Sequence, residues 1–183
     1  MRIVHHSRRL RAVLLAAGFA LCLIVSTLVA SPALAEPAMR AAVDPLCYAG
    51  GFSQPPGLGR PYALTWWRVG SVPSGRHTYN YWMVEENRPI GLVYLESRAA
   101  MCLGDSLVST TGLTPSQGSG PACNSDTYYP DSGIREVFAG ERASYYTSSL
   151  PLRHTYRYWQ RQRWVDWVVP AQWNILSSSV VWC

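Results

Sequence analysis

A seven-residue block occurs twice in this chain of 183 residues. Residues 76–82 read Arg-His-Thr-Tyr-Asn-Tyr-Trp and residues 153–159 read Arg-His-Thr-Tyr-Arg-Tyr-Trp, so the two copies differ only at their fifth position. Self-similarity at a fixed spacing indicates a repeated structural unit. The repeat constrains the fold more than any single propensity does, because both copies must solve the same packing problem.

Four cysteines frame the two blocks in the same order. The first block lies between Cys47 and Cys102, and the second lies between Cys123 and Cys183. Other pairings are possible, but a duplication favours one disulfide within each unit. In the chain-entropy account, closing a loop of this size stabilises a fold by about 4 kcal/mol. The two predicted units are 47–102 and 123–183.

Strand signals dominate both units, so the predicted fold class is all-β. Aromatic and β-branched residues are frequent, and Gly and Pro interrupt helical patterns. Within 77–85, alternation puts His77, Tyr79, Tyr81 and Met83 on one face. Each unit alone is near the lower limit for an independent core. We therefore expect two duplicated, disulfide-closed β units packed about a pseudo-two-fold axis as a sandwich or barrel-like sheet. The predicted strands are 62–69, 77–85, 90–97, 143–147, 153–162, 163–169 and 173–182.

The segment 1–35 reads as a secretory signal peptide. Four arginines precede an apolar run over 12–30, and Ala33-Leu34-Ala35 forms a small-x-small cleavage site. A retained membrane anchor is the alternative, because such a run nearly spans a bilayer. Pro32 and the cleavage site favour removal. The prediction is a secreted, extracellular protein without membrane contact after cleavage.

Two further segments are predicted to lack regular structure. Residues 36–46 are small, polar and interrupted by proline, so we expect a flexible arm. The segment 103–122 consists mostly of Gly, Ser, Thr and Pro, a composition typical of a flexible spacer.

Removal of the signal peptide changes the charge of the chain. The 16 basic residues are all arginines and four of them lie within 1–35, which leaves 16 − 4 = 12 against 11 acidic residues. So small a net charge gives no electrostatic footprint for nucleic acid. We expect no nucleic-acid partner.

His77 and His154 are the only histidines beyond the signal peptide. Two equivalent histidines near a pseudo-two-fold axis could bind a metal ion or share a proton. The alternative is that each is a packed framework residue of its strand. Repeated units usually keep what the fold needs, so we favour the framework role and expect no metal and no cofactor.

Sequence templates of familiar enzymes are absent. The chain has no Gly-x-Ser-x-Gly, no His-Glu-x-x-His, no phosphate loop and no dinucleotide glycine pattern. Glu85 and Glu86 are adjacent on a predicted strand and therefore point to opposite faces, which does not suit an acid–base pair. The prediction is a protein that is not an enzyme.

Aromatic residues give the clearest indication of function. The chain carries 8 Trp and 11 Tyr, more than a single small domain can bury. Tyr, Trp and Arg are favoured at recognition surfaces. Several of these rings have no aromatic counterpart in the first unit. The predicted binding residues are Trp164, Trp167, Trp173, Tyr128, Tyr129, Arg161 and Arg163.

This composition favours a protein that binds one or two extracellular proteins, as an adaptor, an inhibitor or an accessory subunit. A carbohydrate-binding module with a polysaccharide ligand is the alternative. Coplanar exposed rings would favour the carbohydrate, whereas scattered or pocketed rings would favour a protein partner. An extracellular enzyme with an unfamiliar site is the third hypothesis, and it requires a histidine in a cleft beside a carboxylate.

Overall fold

The computed structural model describes residues 43–145, 152–168 and 170–183. The predicted signal peptide, 1–35, and residues 36–42 of the predicted arm lie outside these ranges. Strands dominate the described part, which confirms the all-β class. Its two helices have four residues each, and neither described helix is long or apolar enough to cross a membrane.

The first half, residues 43–113, begins with a short helix and continues with five strands. The Asp44 carboxylate caps the helix by accepting a hydrogen bond from the Leu46 amide, and Pro45 occupies the first turn. Gly75, at a φ of 59°, closes the turn between β2 and β3. The elements are α1 (Pro45–Tyr48), β1 (Gly51–Gln54), β2 (Leu64–Ser74), β3 (His77–Arg88), β4 (Gly91–Leu103) and β5 (Ser106–Leu113).

The second half, residues 116–183, starts with a two-residue strand and then contains a short helix and four longer strands. Gly133, at a φ of 71°, closes the turn between β7 and β8. The elements are β6 (Ser116–Gln117), α2 (Pro121–Asn124), β7 (Thr127–Asp131), β8 (Ile134–Tyr145), β9 (Arg153–Val165) and β10 (Gln172–Trp182).

The strands form one mixed sheet in the order β1-β2-β3-β4-β8-β9-β10-β6. Strand β5 pairs with β4, and β7 pairs with β8. Neighbours are antiparallel except at two places: Val93 of β4 meets Tyr145 of β8, and β10 meets β6. Sequence-adjacent hairpins therefore build each half, and among the described residues one parallel bridge joins β4 to β8.

Two clusters of buried residues stabilise this arrangement. One lies in the first half between α1 and strands β2, β3 and β4, and it includes Trp66, Trp82 and Val84. The other lies between the halves and includes Tyr81 and Met83 of β3 together with residues of β9 and β10. Adjacent β3 residues thus face opposite clusters, as the predicted alternation requires.

Both predicted disulfides are present. Cys47 of α1 is bonded to Cys102 of β4, and Cys123 of α2 is bonded to Cys183. Each disulfide joins a short helix to the strand that follows the block strand of its own half. Cys102 lies in β4, and Cys183 directly follows β10. The pairing is therefore the one that the spacing around the two blocks favours.

The backbones of the two halves cross at a pair of glycines. Gly70 lies at a register shift in the β2–β3 pair, and Gly140 lies at one in the β8–β9 pair. A Cβ atom on Gly70 would be 1.6 Å from the Ala139 oxygen, and one on Gly140 would be 2.4 Å from the Val69 oxygen. Only a residue without a side chain fits at either position.

Hydrogen bonds between the halves are reciprocal. The Tyr81 hydroxyl of β3 is 2.8 Å from the Ser178 hydroxyl of β10. The Tyr158 hydroxyl of β9 is 2.6 Å from the Ser97 hydroxyl of β4. In each case a tyrosine of a repeated block contacts the strand that follows the block strand of the other half.

Two segments that were predicted to lack structure need correction. The arm does not extend to Leu46, because Asp44 and Pro45 already begin α1. The spacer 103–122 is not structureless: it contains β5 and β6, since its Val and Thr residues suit a strand and pairing uses the backbone.

Two strand predictions in the second unit were wrong at their boundaries. Strand β8 starts at Ile134 rather than at 143, because charged side chains and a bulge hide its alternation. Strand β9 continues to Val165, so 163–169 is not a separate strand. Residues 146–147 and 169 of these predictions lie outside the described residues.

Candidate functional site

The structure places the predicted binding residues toward one end of the second half, on two different faces of its sheet. Successive residues of a strand point to opposite faces. On β9, Trp164 therefore points to one face and Arg161 and Arg163 point to the other. On β7, Tyr128 and Tyr129 are separated in the same way.

One group forms an aromatic cluster around Trp173. The Trp173 and Trp164 rings are paired across β9 and β10, with centroids 5.4 Å apart and planes crossing at 60°. The Tyr129 ring lies 6.4 Å from the Trp173 ring at 58°. Tyr129 is 65% exposed and Trp164 is 42% exposed. We call Tyr129, Arg135, Trp164 and Trp173 the Trp173 cluster.

Arg135 completes this cluster, although the sequence did not indicate it. Its guanidinium carbon lies 4.2 Å from the centre of the Trp173 ring, within the range of a cation–π contact. Its Nε donates a 2.8 Å hydrogen bond to the Gln162 side-chain oxygen. Arg135 carried no signal of its own, because this part of β8 was not predicted.

A buried polar chain holds Gln162 in place. Its amide nitrogen donates to the Pro73 carbonyl at 3.2 Å and to the Gln160 side-chain oxygen. Gln160 in turn donates to the Tyr81 hydroxyl at 3.1 Å. Gln160 and Gln162 are fully buried, so Arg135 is positioned by a rigid part of the fold rather than by a loop.

The other group uses its polar side chains within the protein. Arg161 lies 3.6 Å from the carboxylates of both Asp131 and Glu136. The Tyr128 ring packs edge-on against Trp159, with centroids 5.4 Å apart. Burial raises the pKa of Glu136, and the positive charge of Arg161 opposes that rise. Arg161 and Tyr128 therefore support the end of the sheet.

Two predicted residues stand apart from both groups. Trp167 follows the end of β9 and is 82% exposed, and Arg163 is exposed on β9. Within the described ranges, neither takes part in the ring stacking or the cation–π contact of the Trp173 cluster. The structure thus joins Tyr129, Trp164 and Trp173 and leaves Trp167 and Arg163 outside.

The tryptophans of the first half are covered. Trp66 is buried and stacks on Phe52, with centroids 5.3 Å apart. Trp67 lies beneath Arg142 of the second half, whose guanidinium carbon is 4.0 Å from the ring centre. In the part of the chain that the structure describes, the exposed tryptophan rings belong to the second half.

The two repeated histidines have different surroundings. His77 lines an open cleft of about 360 Å³ together with Arg76, Gln172 and Asn174. The His154 ring packs against Trp182, with centroids 4.7 Å apart. In the described part of the chain, no three His, Cys, Asp or Glu residues are grouped so that they could hold a metal ion. The residues that line the His77 cleft include no carboxylate.

No family model, curated protein or solved structure matches this chain. The geometry of the described residues is therefore the basis for assigning a function.

Proposed function

We propose that this chain is a secreted, non-enzymatic binding protein that contacts a protein partner through the Trp173 cluster. The observation that carries the proposal is the tilt of the two exposed rings, Trp164 and Tyr129, relative to the half-buried Trp173 ring. The Trp164 and Tyr129 planes cross the Trp173 plane at 60° and 58°. Sugar rings stack on flat aromatic platforms, whereas crossed rings form a notched surface that suits the irregular side chains of a protein.

The charge of the cluster narrows the class of partner. Arg135 is bonded to a neutral amide, and among the described residues no carboxylate forms an ion pair with it. Its guanidinium therefore brings an uncompensated positive charge to a partly desolvated aromatic surface. Arginine and tryptophan together are typical of interface hot spots. An acidic residue of the partner would form an ion pair with Arg135.

We also propose that the two halves arose by duplication and are related by a pseudo-two-fold rotation. The crossed glycines and the reciprocal Tyr–Ser hydrogen bonds support this, because each contact has a counterpart with the halves exchanged. Bulges also match: β4 skips Leu95 in its pairing with β3, and β10 skips Leu176 in its pairing with β9.

Secretion belongs to the same proposal. The signal-like segment at 1–35 and the two disulfides support it, because disulfides persist in oxidising compartments. The third hypothesis, an enzyme, requires a carboxylate beside a histidine, and the residues that line the His77 cleft include none.

The test compares wild-type protein with Trp164→Ala and Tyr129→Ala, which shorten exposed rings of the cluster. Tyr48→Ala is the matched control, because Tyr48 is 55% exposed and lies in α1 of the first half. Each variant is immobilised and exposed to the culture supernatant of the producing organism and, separately, to insoluble polysaccharides. Circular dichroism checks that every variant is folded.

A partner that binds the wild type and Tyr48→Ala but not the cluster variants supports the proposal. At a hot spot, one cluster variant should lose about 2 kcal/mol of binding free energy, or about 30-fold in Kd. Equal binding by all variants would show that the Trp173 cluster is not part of the interface. Loss of polysaccharide binding in the cluster variants would establish the carbohydrate-binding alternative instead.

A further inference from the structure

The outer edges of β4 and β10 are covered to different extents. On β4, residues from Ser97 to Leu103 pair with β5 in an antiparallel ladder. On β10, the edge away from β9 pairs with another strand of the described chain at Val181 and Trp182 alone. Among the described residues, no strand pairs with that edge over 176–180. An unpaired strand edge is a template for an added strand.

The matching positions of the two strands are defined by register. Ser97 is opposite Met83 of β3, and Ser178 is opposite Gln160 of β9. Met83 and Gln160 each directly follow the last residue of a repeated block. Both serines bond to a tyrosine of the other half. The uncovered stretch of β10 therefore corresponds to the start of the stretch that β5 covers on β4.

Within 176–180, the backbone groups of alternate residues point away from β9. The Ile175 amide donates to the Ser74 hydroxyl at 2.8 Å, and the Trp182 carbonyl accepts from the Gly118 amide at 2.9 Å. Since alternate residues of a strand point to the same edge, Val180 and Ser178 share the edge that Trp182 uses. Their backbone groups are placed for pairing with a further strand.

A groove lies beside this edge. It has a volume of about 330 Å³ and runs between β10 and the inner face of β4 and β5. Its apolar lining comes mainly from Tyr79, Ala99, Met101, Leu113 and Ile175. A strand added to β10 would place alternate side chains against this lining, so small apolar residues fit there.

A second, more polar cleft adjoins the groove. This 360 Å³ cleft shares Tyr79 and Ile175 with the groove and is otherwise lined by polar side chains and a glycine. Among the described residues, the side chains of Arg76, His77 and Asn174 have no hydrogen-bonding or ion-pair partner. Two basic side chains without a carboxylate nearby are complementary to an acidic group.

We propose that β10 accepts an extended peptide segment of a partner protein as an antiparallel strand along 176–180. By analogy with β5 on β4, the segment runs toward the Arg76 cleft, where an acidic residue at its C-terminal end meets Arg76. Backbone hydrogen bonds supply affinity, and the groove and the cleft supply specificity. This site is separate from the Trp173 cluster and is tested with different variants.

The experiment uses a synthetic hexapeptide, acetyl-Thr-Val-Thr-Val-Ser-Glu-amide, and the isotope-labelled whole protein. Binding should be saturable, with a Kd below about 1 mM, and should shift the amide signals of Ser178 and Val180. Two further peptides carry one N-methyl group each, at successive residues. Only one of them removes a donor that faces β10, so their affinities should differ at least tenfold. Equal affinities would overturn backbone pairing.

The acidic end is tested by exchanging the terminal Glu of the peptide for Gln. Wild-type protein should prefer the Glu peptide by about threefold to fivefold, the range of an exposed ion pair. Arg76→Gln should abolish this preference, whereas Arg153→Gln, at the matching position of the second block, should keep it. Amide shifts confined to β5 or the Trp173 cluster would overturn the proposal. Concentration-dependent shifts at 176–180 without peptide would also overturn it, by assigning the edge to a second copy of this chain.

Discussion

Among the described residues, an arginine guanidinium carbon lies within 4.2 Å of a tryptophan ring centre at two places, and the two arginines differ in their hydrogen-bond partners. In the first, Arg142 lies over Trp67 and donates to the Glu85 carboxylate at 3.1 Å. In the second, Arg135 lies over Trp173 and donates to the neutral side chain of Gln162. Glu85 and Gln162 occupy the same position relative to the two repeated blocks.

The proposed function assigns packing to the first site and recognition to the second. The Arg142 site lies between the halves, and its charge is balanced by a carboxylate whose side chain is only 2% exposed. The Arg135 site lies in the second half, and its charge is not balanced by a carboxylate among the described residues. An uncompensated positive charge beside exposed rings would complement an acidic group of the proposed partner.

A second pair of equivalent positions shows that the halves tolerate a change of charge in the framework as well. Asn80 donates to the Leu46 and Cys47 carbonyls of α1 and accepts from Ser71. Arg157 donates to the Ala122 and Ser125 carbonyls at α2 and forms an ion pair with Glu141. Both side chains tie a helix to its strand, with neutral partners in one half and a charged partner in the other.

The largest expected effect comes from removing each disulfide in turn. The bonded cysteines are separated by 55 and 60 positions, so the chain-entropy contribution is about 4 kcal/mol for either bond. The bond at Cys102 is also part of the buried cluster of the first half. The Cys47→Ala/Cys102→Ala variant should therefore lose more unfolding free energy in urea than Cys123→Ala/Cys183→Ala. Equal losses would show that burial of the first bond adds nothing.

The crossed glycines test whether the halves meet as reciprocally as the geometry indicates. Gly70→Ala should cost about 3 kcal/mol of unfolding free energy, because its Cβ would meet a backbone oxygen that cannot move aside. Gly140→Ala should cost a similar amount. Gly112→Ala in β5 is the control, since a Cβ there meets nothing within 4 Å. Urea unfolding measures all three, and a mild effect at Gly70 alone would break the reciprocity.

The sequence predicted the framework better than the surface. Cysteine spacing and the repeated block predicted both disulfides and the strands β3, β9 and β10, because those features are local and duplicated. Strand β8 was missed over most of its length because its polar residues bond to partners distant in sequence, as Arg142 does to Glu85. Arg135 was missed with it, so the positive charge of the Trp173 cluster emerged only from tertiary packing.

Removing Glu85 or Gln162 compares the two arginine sites directly. Glu85→Ala should cost about 3 kcal/mol, because it leaves the Arg142 charge uncompensated in a mostly buried setting. Gln162→Ala should cost about 1–2 kcal/mol, since it removes hydrogen bonds, one of them from the Arg135 guanidinium, but no ion pair. Urea unfolding measures both. The two costs should converge if the ion pair at Glu85 contributes no more than the amide contacts of Gln162.

The reciprocal tyrosines should make the unfolding free energy depend on pH at alkaline values. Burial raises the pKa of Tyr81 to about 12, against the hydrogen bonds from Ser178 and Gln160, and burial likewise raises the pKa of Tyr158. In the unfolded chain these hydroxyls lose their protons near about pH 10. Above that pH the folded state binds more protons than the unfolded state, so the unfolding free energy falls as pH rises.

Each buried tyrosine contributes a slope of about 1.4 kcal/mol per pH unit until its folded pKa is reached. Tyr81→Phe should remove one such contribution between pH 10 and about 12. Tyr158→Phe should remove the other, and Tyr48→Phe, at an exposed ring, is the control. Urea unfolding in steps from pH 8 to pH 12 gives the slopes. If Tyr81→Phe and Tyr158→Phe keep the wild-type slope, the pKa values of the two tyrosine hydroxyls are not raised in the folded protein. The Tyr–Ser contacts between the halves would then make no pH-dependent contribution to the unfolding free energy.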